Sequence, residues 1–529
     1  MSWLKKRLPK KRWKRVLLYL FSTFLILLAA DMILVQYWRR IEIGPDTTRI
    51  TGPLTAAGYP DYFAALNTEL SRGVTSGNNA APFLISLLPK GIKPPTDQWT
   101  SPGLPTEKWR KDVLDYLGQP EPSVDSALVN YGEWLTRKGI TDEQEHSRRE
   151  DEIVIMQHNP WRAAEHPEWK QWVDANAAAL ALLEQAVKRD RYYVPLLGPN
   201  GKTSGSHPGN IITVILPSLG TYRGASQLLL TRAMLRLGEG DTAGFLQDVV
   251  ATLKLARLVA QGGTIIEHLV AVAIEGSAHQ AIQQAATGDA LDRASAQRLA
   301  ALLTSLPPLT SLAHSLDFAE RFMFLDSVCM IAERGPDGIR EISPEPADRR
   351  PISAAIEKYL IPINCNGTMR TGNLYYDRFV GALAEPIYQR QKAQFDAIEH
   401  DIFAFRSQNI VKQIDDPGML LVSILLTPIT HISQNCLVVS VSSDLSALTL
   451  QLRLYKIDHG EYPDALAALP ASATTDRFTD APLIYHRTAS GYALYSVGPN
   501  GKDDGGIDRK AADAARKYGN YDIVVRAEH

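Results

Sequence analysis

The chain has 529 residues, of which 45% are hydrophobic and 22% charged, a composition typical of globular proteins with room for several domains. Residues 1–40 contain ten Lys and Arg against one acidic residue, so the remainder of the chain carries 11 more acidic than basic residues. Nucleic acid binds basic surfaces, and this acidic remainder excludes it as the expected partner. Three cysteines without a CxxC pair exclude a disulfide-built scaffold.

A membrane anchor is predicted near the N-terminus. Residues 16–35 read VLLYLFSTFLILLAADMILV, with Asp31 as the only charge, and at about 1.5 Å per residue such a helix spans the ~30 Å core of a bilayer. Eight Lys and Arg precede the segment and two closely follow it, so the positive-inside rule places residues 1–15 in the cytoplasm. A cleaved signal peptide is the alternative, but cleavage after Ala30 would put Leu28 where a small residue is needed.

The prediction is therefore a single-pass protein of the inner membrane. It has a basic cytoplasmic tail (1–15), a transmembrane anchor (16–38) that meets the lipid bilayer through Val16 to Val35, and an extracytoplasmic, periplasmic bulk.

Residues 39–430 are predicted to form a mainly helical extracytoplasmic domain. Residues 88–123 are rich in Pro and Gly and predict an extended surface segment. Farther along, apolar residues recur at helical spacing between short turns, with Asp241 as an N-cap, which predicts an irregular antiparallel helical-hairpin array. Its predicted units are 221–237, 241–260, 264–287, 293–305 and 311–333.

Three further segments in this domain have helical character. Residues 168–188 follow Pro167 and predict one continuous helix, and residues 388–405 predict another. The apolar stretch 419–429 is too short to be a second membrane span.

Residues 431–529 predict a small α+β module. A helix from about Ser442 ends before Gly460, and strand composition recurs at 483–487, 492–497 and 521–526.

Three motifs in this module carry a family resemblance. LYKIDHGEYP is similar to the end of the long helix in the major, G-type pseudopilin of type II secretion systems, and YSVGPNGKDDGG resembles the calcium loop of that family. DRFTDAPLIY is similar to the family's Asp-Pro-aromatic-Gly-x-Pro-x-x-Tyr segment. The matching residues are Asp476, Phe478, Pro482 and Tyr485.

The resemblance covers about residues 444–526 and has two departures. Arg477 stands where the family usually has Pro, and the N-terminal anchor lacks the Gly-Phe-Thr-Leu-x-Glu site of prepilin peptidase. The layout of the whole chain also resembles uncharacterised membrane-anchored proteins common in planctomycete-type bacteria, a resemblance that implies no function.

A calcium site is predicted in the glycine-rich loop. Its candidate ligands are Asn500, Asp503, Asp504 and Asp522, because calcium prefers carboxylate and carbonyl oxygens that glycine-rich turns make available. The alternative is a solvated acidic turn without a metal, since Asp and Gly are good turn formers.

His268, Glu275 and His279 offer a second candidate metal site. Their spacing of 7 and 4 residues places them in one narrow stripe of a helix. The alternative is that these polar groups hydrogen-bond between packed helices, because no second helix supplies an obvious matching ligand set.

Other polar patterns favour structural roles. GPNGKT at 198–203 lacks the first glycine of a phosphate-binding loop, and its place is taken by Leu196. A further polar group is interpreted as an ion-paired face between helices. Its members are His314, Asp317, Glu320 and Arg321.

The leading functional hypothesis is a non-enzymatic binding or scaffold protein of the envelope, with an unidentified protein partner and a calcium-stabilised C-terminal module. One alternative is a component of a type II secretion or pilus-like assembly. Another is an envelope metalloenzyme or hydrolase built on the histidine stripe, although the HExxH and GxSxG signatures are absent from the sequence.

Overall fold

The structure is a computed structural model, and it describes residues 16–23, 26, 39–89, 107–121, 127–197, 211, 219–335, 338, 364–408, 417–425, 429–470, 474–514 and 519–527. These residues are mainly helical, with one three-stranded sheet, which confirms the predicted class. The helices are α1 (Tyr62–Leu70), α2 (Ala81–Ile85), α3 (Glu107–Leu117), α4 (Tyr131–Arg137), α5 (Glu143–His158), α6 (Pro167–Ala175), α7 (Ala177–Ala186), α8 (Leu219–Gly238), α9 (Thr242–Val259), α10 (Ile265–Thr287), α11 (Arg293–Ser305), α12 (Leu312–Ser315), α13 (Arg321–Arg334), α14 (Cys365–Leu383), α15 (Tyr388–Arg406), α16 (Pro417–Leu425), α17 (Ile429–His459) and α18 (Arg509–Ala514).

The predicted array is present from α8 to α11. Asp241 caps α9 by accepting a hydrogen bond from the amide of Gly244, as the sequence predicts, and Thr264 and Glu267 form a reciprocal capping box at the start of α10. The last predicted unit is not one regular α-helix, because a short π-helix at Leu316–Glu320 lies between α12 and α13.

The prediction of a single helix over 168–188 was wrong. It is divided into α6 and α7 at Asn176, whose side chain accepts a hydrogen bond from the Val129 amide at 2.9 Å and donates to the Val129 carbonyl at 3.1 Å. This contact with a distant segment holds Asn176 outside regular helical geometry.

The extended segment predicted over 88–123 contains a helix, α3, in its described part. Arg110 is buried and donates to the carbonyls of Leu88 and Pro89, while Lys108 and Asp112 form an i,i+4 ion pair. These contacts stabilise a helix between the Pro-rich flanks.

The long helix α17 connects three hydrophobic cores. Leu450 lies in the core of α2–α11, Ile432 lies in the core around α13 and α14, and Leu448 lies in the core of the C-terminal sheet. α17 packs along α10 and begins well before the residue 442 expected from the sequence. The C-terminal module therefore shares its helix with the helical domain.

Among the described helices, α17 alone is long and apolar enough to cross a membrane by length and composition. It packs against α10, α11 and the sheet, and its Arg453 is buried next to Asp289. The shorter α16 covers much of the stretch at 419–429 that the sequence had excluded as a span.

Most of the predicted anchor, and the cytoplasmic tail at 1–15, lie outside the described residues. Within the anchor the structure describes residues 16–23 and 26, which are helical, and the large apolar side chains there are exposed. The GPNGKT turn at 198–203 also lies outside the described part of the chain.

The sheet is antiparallel in the order β1 (Ile484–Arg487), β2 (Tyr492–Ser496), β3 (Ile523–Ala527). β1 and β2 form a hairpin in which Ile484 pairs with Tyr495, and β3 pairs with β2 so that Ser496 lies opposite Ile523. This register brings the residue before β3 next to the loop that follows β2.

Candidate functional site

The predicted calcium loop leaves β2 and folds back over the start of β3. Four glycines in it adopt positive φ angles of 67–78°, a region that L side chains rarely enter. They are Gly498, Gly501, Gly505 and Gly506. The glycine pattern thus has a conformational cause, because it lets the chain turn tightly around Asp522.

Asp522 lies at the centre of the loop and is 1% exposed. Its carboxylate accepts hydrogen bonds from the amide of Gly506 at 2.6 Å and from the amide of Asp504 at 3.3 Å. Its own amide donates to the carbonyl of Ile507 at 2.7 Å. Asp522 therefore organises the loop through hydrogen bonds to backbone groups of the loop.

The other three predicted ligands surround this centre. Asn500 donates from its side-chain amide to the Asp504 carboxylate at 2.8 Å, which brings these two side chains together. Asp503 accepts from the Gly505 amide at 2.8 Å and from the hydroxyl of Tyr495 at 3.2 Å. All four predicted side chains therefore belong to one hydrogen-bonded loop.

The carboxylates repel one another. Burial raises the pKa of the Asp522 carboxyl above its ordinary value, and the negative charges of Asp504 and Asp503 raise it further, while hydrogen bonds from the loop amides oppose the shift. A bound cation would relieve this repulsion, and the oxygen donors present are those that calcium prefers.

The loop also has a feature that counts against a formed metal site. Its carboxylates are engaged by amide and hydroxyl donors, and no group of three or more His, Cys, Asp or Glu side chains in the described part of the chain is arranged to hold a metal ion. Calcium binding stays a prediction that rests on the chemistry of the donors.

Sequence reasoning matched Asp476 to a family motif but missed what its side chain does. Asp476 is 2% exposed and accepts hydrogen bonds from the Ser496 hydroxyl and the Val497 amide, each at 2.9 Å. It thereby fixes the end of β2, from which the glycine-rich loop departs. The sequence shows an Asp before a turn, but it does not show that the hydrogen-bond partners of Asp476 lie about twenty residues later in the chain.

The rest of that motif also has structural roles. Phe478 packs edge-on against Tyr388 with ring centroids 4.9 Å apart, and the Tyr485 hydroxyl donates to the carbonyl of Pro463 at 2.7 Å. Arg477, which departs from the family pattern, forms an ion pair with Asp444 of α17. The motif residues tie the sheet to α15 and α17.

The three residues of the second candidate site lie on α10 but not around one point. His268 and His279 are 11 residues apart, so at about 1.5 Å per residue they are separated by roughly 16 Å along the helix axis. Metal–ligand distances are about 2 Å, and a single ion therefore cannot contact all three residues. The three residues lie on one face of α10, as the sequence predicts, but the distance along the helix axis excludes one ion bound by all three.

Glu275 and His279 form one local group with Arg257 of α9. Glu275 lies 3.1 Å from the Arg257 guanidinium and 3.6 Å from the His279 ring. Burial favours the neutral form of Glu275, but His279 and the Arg257 charge together hold the pKa of its carboxyl below the ordinary value. Glu275 is thus a paired carboxylate between helices.

His268 forms a separate contact with Cys436 of α17, where Nε2 and Sγ are 3.5 Å apart. Burial lowers the pKa of His268 to about 4 and raises the pKa of the Cys436 thiol to about 12. Both groups are therefore neutral at physiological pH, and an uncharged thiol is a poor nucleophile. The other two cysteines are also free thiols, both buried.

Of the predicted ion-paired face at 314–321, Arg321 and Asp317 form an ion pair, whereas Glu320 instead accepts a hydrogen bond from the amide of Ile265 at 3.0 Å. Arg321 is 1% exposed, and its guanidinium lies 2.5 Å from Asp317 and 2.8 Å from Asp377 on the facing helix α14. His314 stacks on Phe318. These contacts hold α13 to α14.

Comparisons with known protein families, with curated proteins and with solved structures find no match to this chain.

Proposed function

We propose that this chain is a membrane-anchored envelope protein that acts as a non-enzymatic binding or scaffold protein, with a C-terminal module stabilised by calcium. The observation that carries the proposal is the position of α17, which contributes side chains to all three hydrophobic cores. The module and the helical domain are held as one body, and a rigid body of this size offers a defined surface to a partner.

The proposed membrane anchor is supported by the exposed apolar helix at its start. Leu18, Tyr19 and Leu20 are 62–70% exposed, a high value for consecutive large apolar side chains. Together with the basic residues before it, this segment has the features of a helix that enters a bilayer.

The position of α17 also favours a scaffold over the pilus-like alternative. In a helical assembly, subunits contact each other through helix surfaces, but here α10 and α11 of the same chain cover much of α17. The enzymatic alternative is disfavoured by the positions of its own candidates, since roughly 16 Å of helix axis separates His268 from His279 and Glu275 is paired with Arg257.

The proposal is tested by cross-linking in intact membranes. Photoreactive residues are placed at exposed positions of the helical domain in the full chain, and the products are separated by size. A scaffold gives a discrete complex with another protein. A ladder of homopolymers would instead support the pilus-like assembly, and stoichiometric zinc or iron in the purified protein would support the metalloenzyme.

A further inference from the structure

A groove on the helical domain lies over the exposed side of α9, between α7 on one flank and α11 on the other. It has a volume of about 670 Å³, within the usual range of ligand sites. Its floor runs from Ala243 to Lys254, which at about 1.5 Å per residue corresponds to roughly 16 Å. That length accommodates about three turns of a second helix.

The apolar surface of the groove is centred on Val250 of α9, which is half-buried. Leu246 and Ala251 are buried beneath the floor, and the exposed Gln247 also lines it. Leu302 of α11 and Val187 after α7 supply apolar surface from the two walls. An apolar stripe enclosed by helices on both sides is the surface onto which amphipathic helices dock.

Both rims and one end of the groove are cationic. Lys188 follows α7, Lys254 lies on α9 at the end of the floor and Arg298 lies on α11, and all three are exposed. Within the described part of the chain, none of the three has an ion-pair partner.

The two acidic residues of the groove are already engaged. Glu184 pairs with Arg232 at 2.9 Å, and Asp241 caps α9. The remaining cation, Arg236, contacts the buried Asp248. The groove therefore presents positive charge in a chain whose extracytoplasmic part is acidic overall.

We propose that this groove binds an acidic amphipathic helix of a partner protein. The apolar face of that helix would cover Val250 and its neighbours, while carboxylates on its flanks would pair with Lys188, Lys254 and Arg298. The inference rests on the proposed binding function and names the class of partner. Attraction between the carboxylates of the partner helix and the cations of the groove would fix the orientation of the bound helix and speed its association.

The test uses the full chain in nanodiscs of uncharged lipid, with two fluorescent helical peptides as probes. The peptides share one pattern of leucines at helical spacing and carry either Glu or Lys at their flanking positions. Anisotropy should show that the Glu peptide binds more tightly than the Lys peptide by about tenfold or more. The variant K188E/K254E/R298E should reverse this preference.

A matched control changes the same number of exposed cations outside the groove. The variant K138E/R390E/K510E should keep the preference of the wild type, and melting temperatures verify that both variants are folded. Equal binding of the two peptides, no binding of either, or unchanged Glu-peptide affinity in K188E/K254E/R298E would overturn the proposal. Groove-dependent binding to vesicles of anionic lipid, without binding of the Glu peptide, would overturn it in favour of a lipid surface.

The cross-linking experiment separates this inference from the proposed function. If the discrete complex forms equally well in K188E/K254E/R298E, the groove assignment is wrong while the scaffold function stands. If the wild type gives no complex with another protein, the scaffold function itself fails.

Discussion

The buried guanidinium of Arg453 in α17 lies 2.6 Å from the carboxylate of Asp289, an exposed residue just after the end of α10. The same guanidinium donates to the carbonyl of Leu291 at 2.9 and 3.1 Å and to the carbonyl of Asp289 at 3.0 Å. One side chain thus satisfies two backbone acceptors of the helical domain from the helix of the C-terminal module.

Replacing this arginine should uncouple the two parts of the protein. Arg453→Met keeps most of the side-chain volume but leaves the buried carbonyl of Leu291 without its donor, and we expect a loss of about 1–3 kcal/mol in the free energy of unfolding. Lys456→Met is the control, because Lys456 lies 3.6 Å from the same carboxylate and donates to neither carbonyl. Urea denaturation measures both, and equal losses would contradict the role assigned to Arg453.

A second prediction concerns the close approach of α8 to the segment before α6. A Cβ added to Gly238 would lie 2.1 Å from the carbonyl oxygen of Trp161, a backbone atom that cannot rotate away. Gly238→Ala should therefore lower the free energy of unfolding by about 1–3 kcal/mol. Gly220, near the start of the same helix, has no atom within 4 Å of its added Cβ, and Gly220→Ala should be neutral or stabilising. A melting temperature for Gly238→Ala at or above that of the wild type would show that the segment can move.

The buried His268 should make stability depend on pH. Its pKa is about 4 in the folded protein, and the ordinary value is near 6.5, so between these values the unfolded chain binds a proton that the folded chain does not. The free energy of unfolding should therefore fall as pH decreases from about 6.5 to 4, with a slope of up to ~1.4 kcal/mol per pH unit. Above pH 6.5 this contribution is fully present.

Other groups contribute with the opposite sign. Burial raises the pKa of Glu267 and of Asp326 to about 7, so these acids favour the folded state as pH falls from 7 towards their ordinary values. The titration of Glu267 and Asp326 is common to the wild type and His268→Gln, so the difference between the two proteins isolates the contribution of His268. The variant should lose less stability than the wild type between pH 7 and pH 5, whereas His486→Gln on exposed β1 should follow the wild type. Parallel curves for His268→Gln and the wild type would contradict the lowered pKa.

Elements determined by short-range pattern were predictable from the sequence. The Asp241 cap, the apolar spacing of α9 and the strand composition around the β1–β2 turn all lie within a few residues of the structure they specify. The division between α6 and α7 was not predictable, because the partner of Asn176 lies 47 residues away. The early start of α17 likewise depends on its packing against α10.

In the candidate site, too, local features were predictable from the sequence and contacts between distant residues were not. The glycine pattern and the carboxylates of the loop are local, and the sequence identified the residues that share it. The role of Asp476 required knowledge of the strand end that it binds. For the α10 stripe, the spacing gave the common face, but the distance between His268 and His279 along the axis separates their contacts.

The topology prediction distinguishes the N-terminal anchor from a span by α17. A reporter that functions only outside the cytoplasm is fused after His529 in one protein and after Gln408, before α16 and α17, in another. Both should be active outside if residues 16–38 are the only span, since α17 then stays within the extracytoplasmic body. Activity of the fusion after Gln408 together with inactivity of the fusion after His529 would show that α17 crosses the membrane. Deletion of residues 1–38 should leave both reporters in the cytoplasm.

The last prediction concerns calcium binding by the loop around Asp522. Millimolar calcium should raise the melting temperature of the full chain, because a ligand that binds only the folded state stabilises it, by about 2.7 kcal/mol at a concentration 100 times Kd. Asp504→Asn and Asp522→Asn each remove a charge while keeping an oxygen acceptor, and both should abolish the rise. Asp513→Asn on α18, outside the loop, is the matched control and should keep it.

The calcium effect should also weaken in acid. The pKa of Asp522 is raised by burial and by its acidic neighbours, so protons compete with calcium at a higher pH than for an ordinary carboxyl, and the rise should be larger at pH 7 than at pH 5. Isothermal titration with calcium, and with magnesium as the comparison ion, measures the binding directly. Unchanged melting in millimolar calcium, or an undiminished rise in Asp522→Asn, would assign the loop to a turn held by its own hydrogen bonds.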